Sequence, residues 1–209
     1  METMKCELIT LNEARVLVCE VTGSVETLKE QLTLIEPDKT VFDKIVSEKR
    51  KLEFLGIRIA LKALIGREIQ IQYDGDGKPF LSDKSYQISV SHSNKWIAVM
   101  IHPNKKAGID IECPTDKIRK LYTRFLSLTE QKELSGGKDI KQLLLAWSAK
   151  EALFKIIGKE AIDFANQLRI YPFVVKPSGE MKAQHIPTET IYKLNYHQTK
   201  EYTLVYCLA

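Results

Sequence analysis

Residues 143–158 read Leu-Leu-Leu-Ala-Trp-Ser-Ala-Lys-Glu-Ala-Leu-Phe-Lys-Ile-Ile-Gly. Apolar side chains recur almost all round, which predicts a buried helix, and the closing glycine ends it. Against that background the polar residues stand out. Ser148, Glu151 and Lys155 follow an i, i+3, i+7 course and form one stripe, with Lys150 beside it. Glu151 and Lys155 taken alone are an ordinary i, i+4 pair. On a buried helix, a carboxylate and an ammonium are costly to desolvate without further partners, and a metal with an anionic ligand would supply them.

Working outward, Ala152–Gly158 aligns loosely with Ala60–Gly66 at the end of an earlier helical stretch, Val41 to Gly66. Upstream of each helix lies a strand-like segment, Val16 to Val21 and Gly108 to Glu112. Val16 to Gly56 is 40 residues and Ile109 to Ser148 is 39. This near-equal spacing predicts a duplicated order. A turn at Asp74–Pro79 precedes a hairpin, Ile88–Val90 and Trp96–Ile101 around Ser93-Asn94-Lys95. In the second half, a helix over Thr129–Gly158 is followed by a strand at Pro172–Val175 and a terminal pair, Tyr192–Tyr196 and Tyr202–Leu208. The expected fold class is α+β, in two similar halves, 1–104 and 105–209, with a linker near His102–Ala107 and a ligand in the crevice between them.

Composition narrows the function classes. Hydrophobic residues at 44% and charged residues at 28% fit a globular chain and exclude collagen-like, coiled-coil and disordered readings. A net charge of +4 suits an anionic ligand or acidic partner and is too mild for a duplex nucleic-acid binder. Cys6, Cys19, Cys113 and Cys207 lie far apart without C-x-x-C, which suggests unpaired thiols in a reducing cytosol. Neither a leader at Met1–Glu7 nor an apolar run of about 20 residues is evident, so no membrane is expected. The four histidines show no metal-ligand spacing, so any metal is expected on oxygen.

In Gly108-Ile109-Asp110-Ile111-Glu112 the strand period puts Asp110 and Glu112 on the face opposite Ile109 and Ile111. Paired carboxylates repel, so they belong on a solvated strand face or around a cation such as Mg²⁺; the motif alone allows both. Asp74–Gly77 fits neither a phosphate-binding glycine loop nor an EF-hand, whose twelfth position would be Ser85. Lys78-Pro79 and Ser91-His92 fall at strand edges where a cation and an imidazole can reach phosphate, and His92 equally fits a hydrogen-bonded turn histidine. Arg58 and Lys62, i and i+4, read as a solvated helix face.

In order, Phe54–Arg58, Gly77–Leu81, Ile88–Ser93, Gly108–Glu112, Arg124–Ser127 and Trp147–Lys155 resemble the 4'-phosphopantetheinyl transferase superfamily, particularly its surfactin-synthetase-type branch. The resemblance spans roughly residues 50–160. It implies two halves about a pseudo-twofold axis, coenzyme A between them, and Mg²⁺ on its pyrophosphate. Asp110, Glu112 and Glu151 would then be the metal ligands, and Glu151, Lys155 and Glu112 the catalytic groups. Lys155 and Lys150 would face phosphate, Ser91, His92, Lys78 and Pro79 the adenosine 3'-phosphate end, and Arg58 or Lys62 a further phosphate. The implied partner is an apo acyl or peptidyl carrier protein, and the implied enzyme a cytoplasmic monomer. Lys117, Arg119, Lys120 and Arg124 are the expected docking charges, with Tyr122 and Phe125 as apolar anchors. A non-catalytic binder of coenzyme A or of a carrier is the alternative.

Overall fold

The computed structural model describes residues 3–158 and 162–209; Met1 and Glu2 of the N-terminal reading, and 159–160 at the end of the family-like stretch, lie outside them. The chain divides into two compact units, the first ending at Lys105 and the second beginning at Lys106. Both are α+β, and each has its own apolar core.

The first unit runs β1 (Met4–Leu11), β2 (Ala14–Val21), α1 (Val25–Lys29), α2 (Asp38–Asp43), α3 (Glu48–Ile65), β3 (Ile71–Tyr73), β4 (Pro79–Leu81), β5 (Gln87–Ser93) and β6 (Trp96–His102). Its main sheet has the order β1-β2-β6-β5, and α3 packs on β2 and β6. Gly56 permits that approach, because a Cβ there would overlap Ile97 on β6. The expected hairpin is β5–β6, turned by Asn94 at φ 53°.

Two expectations are corrected here. The helix read over Val41–Gly66 is two helices, and Ser47 starts the second by accepting a 3.4 Å hydrogen bond from the Arg50 N–H. The cysteines are not all unpaired: Cys6 and Cys19 face each other across β1–β2 and form a disulfide. Strand β1 was not read from the sequence because its residues are mostly exposed. Without β1, Cys19 has no visible partner.

The second unit runs β7 (Ala107–Glu112), α4 (Ile118–Phe125), α5 (Leu128–Glu133), α6 (Ile140–Ile157), α7 (Phe164–Gln167), β8 (Leu168–Ile170), β9 (Ser178–His185), β10 (Thr190–Gln198) and β11 (Thr203–Leu208). The sheet order is β7-β11-β10-β9-β8, and α6 lies across β7 and β11. A Cβ on Gly108 would overlap the Ala152 carbonyl oxygen, so the glycine of the Gly108–Glu112 motif lets β7 touch α6. Within each unit, the strand preceding the long helix pairs antiparallel with the unit's last strand.

The single helix read over Thr129–Gly158 is α5 and α6, interrupted where Gly136 and Gly137 take φ 56° and 80°. Asp139 then starts α6, its carboxylate accepting from the Lys141 and Gln142 N–H groups. Pro172–Val175 is not a strand but an irregular connection between β8 and β9. Strand β9 carries little apolar alternation, because of its eight residues only Met181 and Ala183 are buried.

Candidate active site

Strand β7 and helix α6 place the acidic and basic residues of the second unit together. Ile109 and Ile111 are fully buried on one face of β7, and the opposite face, with Gly108 and Asp110, is the one that meets α6. The other side is not a solvated strand face: Asp110 is only 5% exposed. Lys155 Nζ, in the last turn of α6, donates to the Ile109 carbonyl at 2.6 Å and to Asp110 Oδ1 at 3.1 Å. Trp147 Nε1 donates to Glu112 Oε1 at 3.3 Å. Glu151 lies between Trp147 and Lys155 on the same helix, i+4 from one and i−4 from the other.

Electrostatics ties the carboxylates together. Burial pushes the Glu151 carboxyl up to about 7; the Asp110 charge adds to the rise, Lys155 opposes it, and Glu112 adds a smaller push. In metal-free protein the contribution of Glu151 to stability therefore falls as pH climbs. Below 4.5 Glu151 is protonated in both states; between 4.5 and 7 only the unfolded chain releases the proton, so unfolding is favoured increasingly. The loss reaches up to about 3 kcal/mol above pH 7. Urea midpoints in EDTA at pH 5 and pH 8 are expected to show it, and Glu151→Gln to flatten the difference. Equal slopes for both proteins would refute the assignment.

The donor set has the hard oxygens that Mg²⁺ prefers. Nevertheless, among the described residues no three His, Cys, Asp or Glu side chains stand close enough together to hold a metal ion. The Lys155 ammonium lies 3.1 Å from Asp110 Oδ1.

Lys150, expected to face phosphate, does not. It is fully buried, and its ammonium lies within hydrogen-bond distance of the carbonyls of Phe125, Phe164 and Leu168, at 2.7 Å each, and of Glu130 at 2.9 Å, sharing its three N–H groups among them. Burial lowers its pKa while Glu130 opposes the shift. Glu130, also fully buried, caps α5 through the Ser127 N–H at 2.8 Å and accepts from the Ile170 N–H at 2.7 Å. Sequence reading passed over Glu130, although Ser127-x-x-Glu130 is a capping-box spacing.

Arg58 is likewise withdrawn from ligand contact. It is 6% exposed, forms a two-point ion pair with Asp38 at 2.6 and 2.8 Å, and stacks on the Phe54 ring. Lys62 is nearer solvent and is held by Glu68 and the Gln31 carbonyl, both at 3.0 Å. Neither lies on a simply solvated helix face. Lys78 and Pro79 follow a turn in which Asp74 Oδ1 accepts from the Asp76 and Lys78 N–H groups, and they border a cavity of about 300 Å³ with Lys84 and Tyr86. Ser91 is buried on β5, and His92 next to it contacts Glu53 of α3 at 3.2 Å.

Of the four expected docking charges, Arg119, Lys120 and Arg124 lie on α4 and Lys117 just before it, and all four are exposed. The expected anchors are not. Phe125 is core, edge-on to Trp147 at 5.2 Å, and Tyr122 packs partly buried against that core. Leu121 and Leu128 are the large apolar side chains exposed here, at 38% and 77%.

The second unit is thus an α+β unit in which a strand–helix contact sets the Asp110 carboxylate beside the Lys155 ammonium and within electrostatic reach of Glu151. Residues 106–207 match the model of the 4'-phosphopantetheinyl transferase superfamily. A Synechocystis sp. protein provisionally named a 4'-phosphopantetheinyl transferase is 29% identical over 152 residues, 66% of this chain and 59% of its own length. The 4'-phosphopantetheinyl transferase AcpT of Salmonella typhi is 30% identical over 118 residues, 54% of this chain and 62% of its own. A Haemophilus influenzae protein, also provisionally named, is 29% identical over 160 residues, 70% and 66% of the two chains. The chain therefore spans about three fifths to two thirds of the length of these relatives.

Proposed function

We propose that this chain is a transferase of the surfactin-synthetase-type branch that moves the 4'-phosphopantetheine group of coenzyme A to a serine of an apo acyl or peptidyl carrier protein. What supports the reading is the Lys155–Asp110 contact and the effect of Asp110, Lys155 and Glu112 on Glu151, within the stretch that matches the superfamily. The protein acts as a cytoplasmic monomer, without nucleic acid or membrane.

In the reaction the serine oxygen bonds to the β-phosphorus, the bond from that phosphorus to the bridging oxygen breaks, and adenosine 3',5'-bisphosphate leaves. Asp110, Glu112 and Glu151 would hold Mg²⁺, which when bound neutralises charge on the pyrophosphate. Lys155 adds a fixed positive charge beside the same phosphates. The serine proton passes to Glu151 or to a water that Glu112 polarises; a carboxyl near pH 7 is matched to that task. Lys78, Pro79, Ser91 and His92 receive the adenosine 3'-phosphate end, and Lys62 a further phosphate. Lys150 and Arg58 support the fold instead. The acidic carrier docks on Lys117, Arg119, Lys120 and Arg124, with Leu121 and Leu128 as its apolar contacts.

Intact mass of an apo carrier incubated with the chain, coenzyme A and Mg²⁺ tests this. The expected result is a gain of one phosphopantetheine, abolished by EDTA. No gain on fatty-acid, polyketide and peptidyl carriers, with coenzyme A still bound, would leave a non-catalytic binder.

A further inference from the structure

Ser148, the first residue of the polar stripe on α6, has no part in the mechanism above. It is fully buried, yet its hydroxyl has no hydrogen-bond partner among the described residues. A helical serine can satisfy itself on the carbonyl one turn back, and Ser148 does not. A buried donor without an acceptor lowers stability, and alanine would occupy the same space without that cost.

The packing of α6 on β7 fixes what the hydroxyl stands over. Ala152 and Ile156 meet the strand at Gly108, and Trp147 meets it at Glu112. Ser148 falls between these contacts on the helix, as Asp110 does on the strand, so the hydroxyl lies over the Asp110 stretch of β7. Asp110 is buried and holds the Lys155 ammonium, while the Lys155 side chain is 25% exposed and open to a ligand. An anion that reaches Lys155 competes with Asp110 for the ammonium. The buried carboxylate is then less compensated, and a carboxylate accepts several hydrogen bonds.

We propose that Ser148 is a positioning residue for the donor-bound state: when the phosphates of coenzyme A draw on Lys155, the Ser148 hydroxyl donates to the Asp110 carboxylate and holds it in place. This rests on the assignment of Lys155 to those phosphates. The hydroxyl destabilises the ligand-free chain and stabilises the loaded one.

The test is calorimetric titration with coenzyme A in Mg²⁺ buffer, for wild type, Ser148→Ala, Asp110→Ala, Lys155→Ala and the Ser148→Ala/Asp110→Ala double variant, with thermal melts of the ligand-free proteins. Ser148→Ala is expected to melt no lower than wild type and yet to bind coenzyme A roughly tenfold more weakly, the scale of one hydrogen bond to a charged group. It should add nothing in the Asp110→Ala background. A lower melting temperature would mean that the hydroxyl already serves the ligand-free fold. Unweakened binding, or an additive loss in the double variant, would mean that it does not act through Asp110. Any of these would overturn the proposal. A wild type that does not bind coenzyme A, or binding indifferent to Lys155→Ala, would overturn it by removing Lys155 from the phosphates rather than Ser148 from Asp110. The two failures are therefore distinguishable.

Discussion

Lys150→Met is expected to destabilise the chain by about 3–5 kcal/mol, the usual cost of breaking a buried ion pair from one side. Methionine fills much of the lysine stem, so packing changes little. What is lost is the donor. Glu130 keeps its bonds to the Ser127 and Ile170 N–H groups but loses its positive partner in a site without solvent. Three carbonyls, of Phe125, Phe164 and Leu168, lose their ammonium at once. These belong to the end of α4, to α7 and to β8, so the lysine ties three segments to α6. The check is urea unfolding of Lys150→Met and of Lys150→Met/Glu130→Gln. The double variant should recover part of the loss, because it removes the stranded charge. If Lys150→Met instead kept native stability and bound coenzyme A weakly, the phosphate-facing role read from the sequence would be reinstated.

Lys150 also shows where reading a sequence stops. Periodicity placed it correctly on a buried helix, next to the polar stripe, because burial and helical phase are local properties. Its partner lies 20 residues away on a separate helix, and spacing along a chain does not reveal that distance in space. Arg58 and Asp38 are the same case in the first unit. Local signals served well elsewhere. The β5–β6 hairpin, β7 and the β10–β11 pair were legible through β-branched runs and turn residues. Exposed strands carried little alternation, so β1 and β9 went unread, and with β1 the disulfide of Cys6 and Cys19. At the site, alternation put Asp110 and Glu112 on one side of β7. It could not distinguish a solvated side from one covered by α6, which only packing decides.

Asp110→Asn is expected to lower turnover by about 10²–10³-fold, the range found for removing one preorganised electrostatic contact. Asparagine is the informative replacement because it keeps an oxygen for the Lys155 ammonium, now 3.1 Å from Oδ1. The helix–strand contact survives, and what disappears is one negative charge. That charge is also the second-largest cause, after burial, of the raised Glu151 carboxyl. In metal-free protein the same substitution should therefore move the Glu151 titration, followed by carboxyl carbon NMR, down from about 7. Rate and titration report separate consequences of one carboxylate. Near-native turnover with a lowered Glu151 titration would keep Asp110 beside Glu151 but remove it from the chemistry. An unmoved titration would mean that the two side chains do not face each other in solution, and the strand–helix site would have to be redrawn.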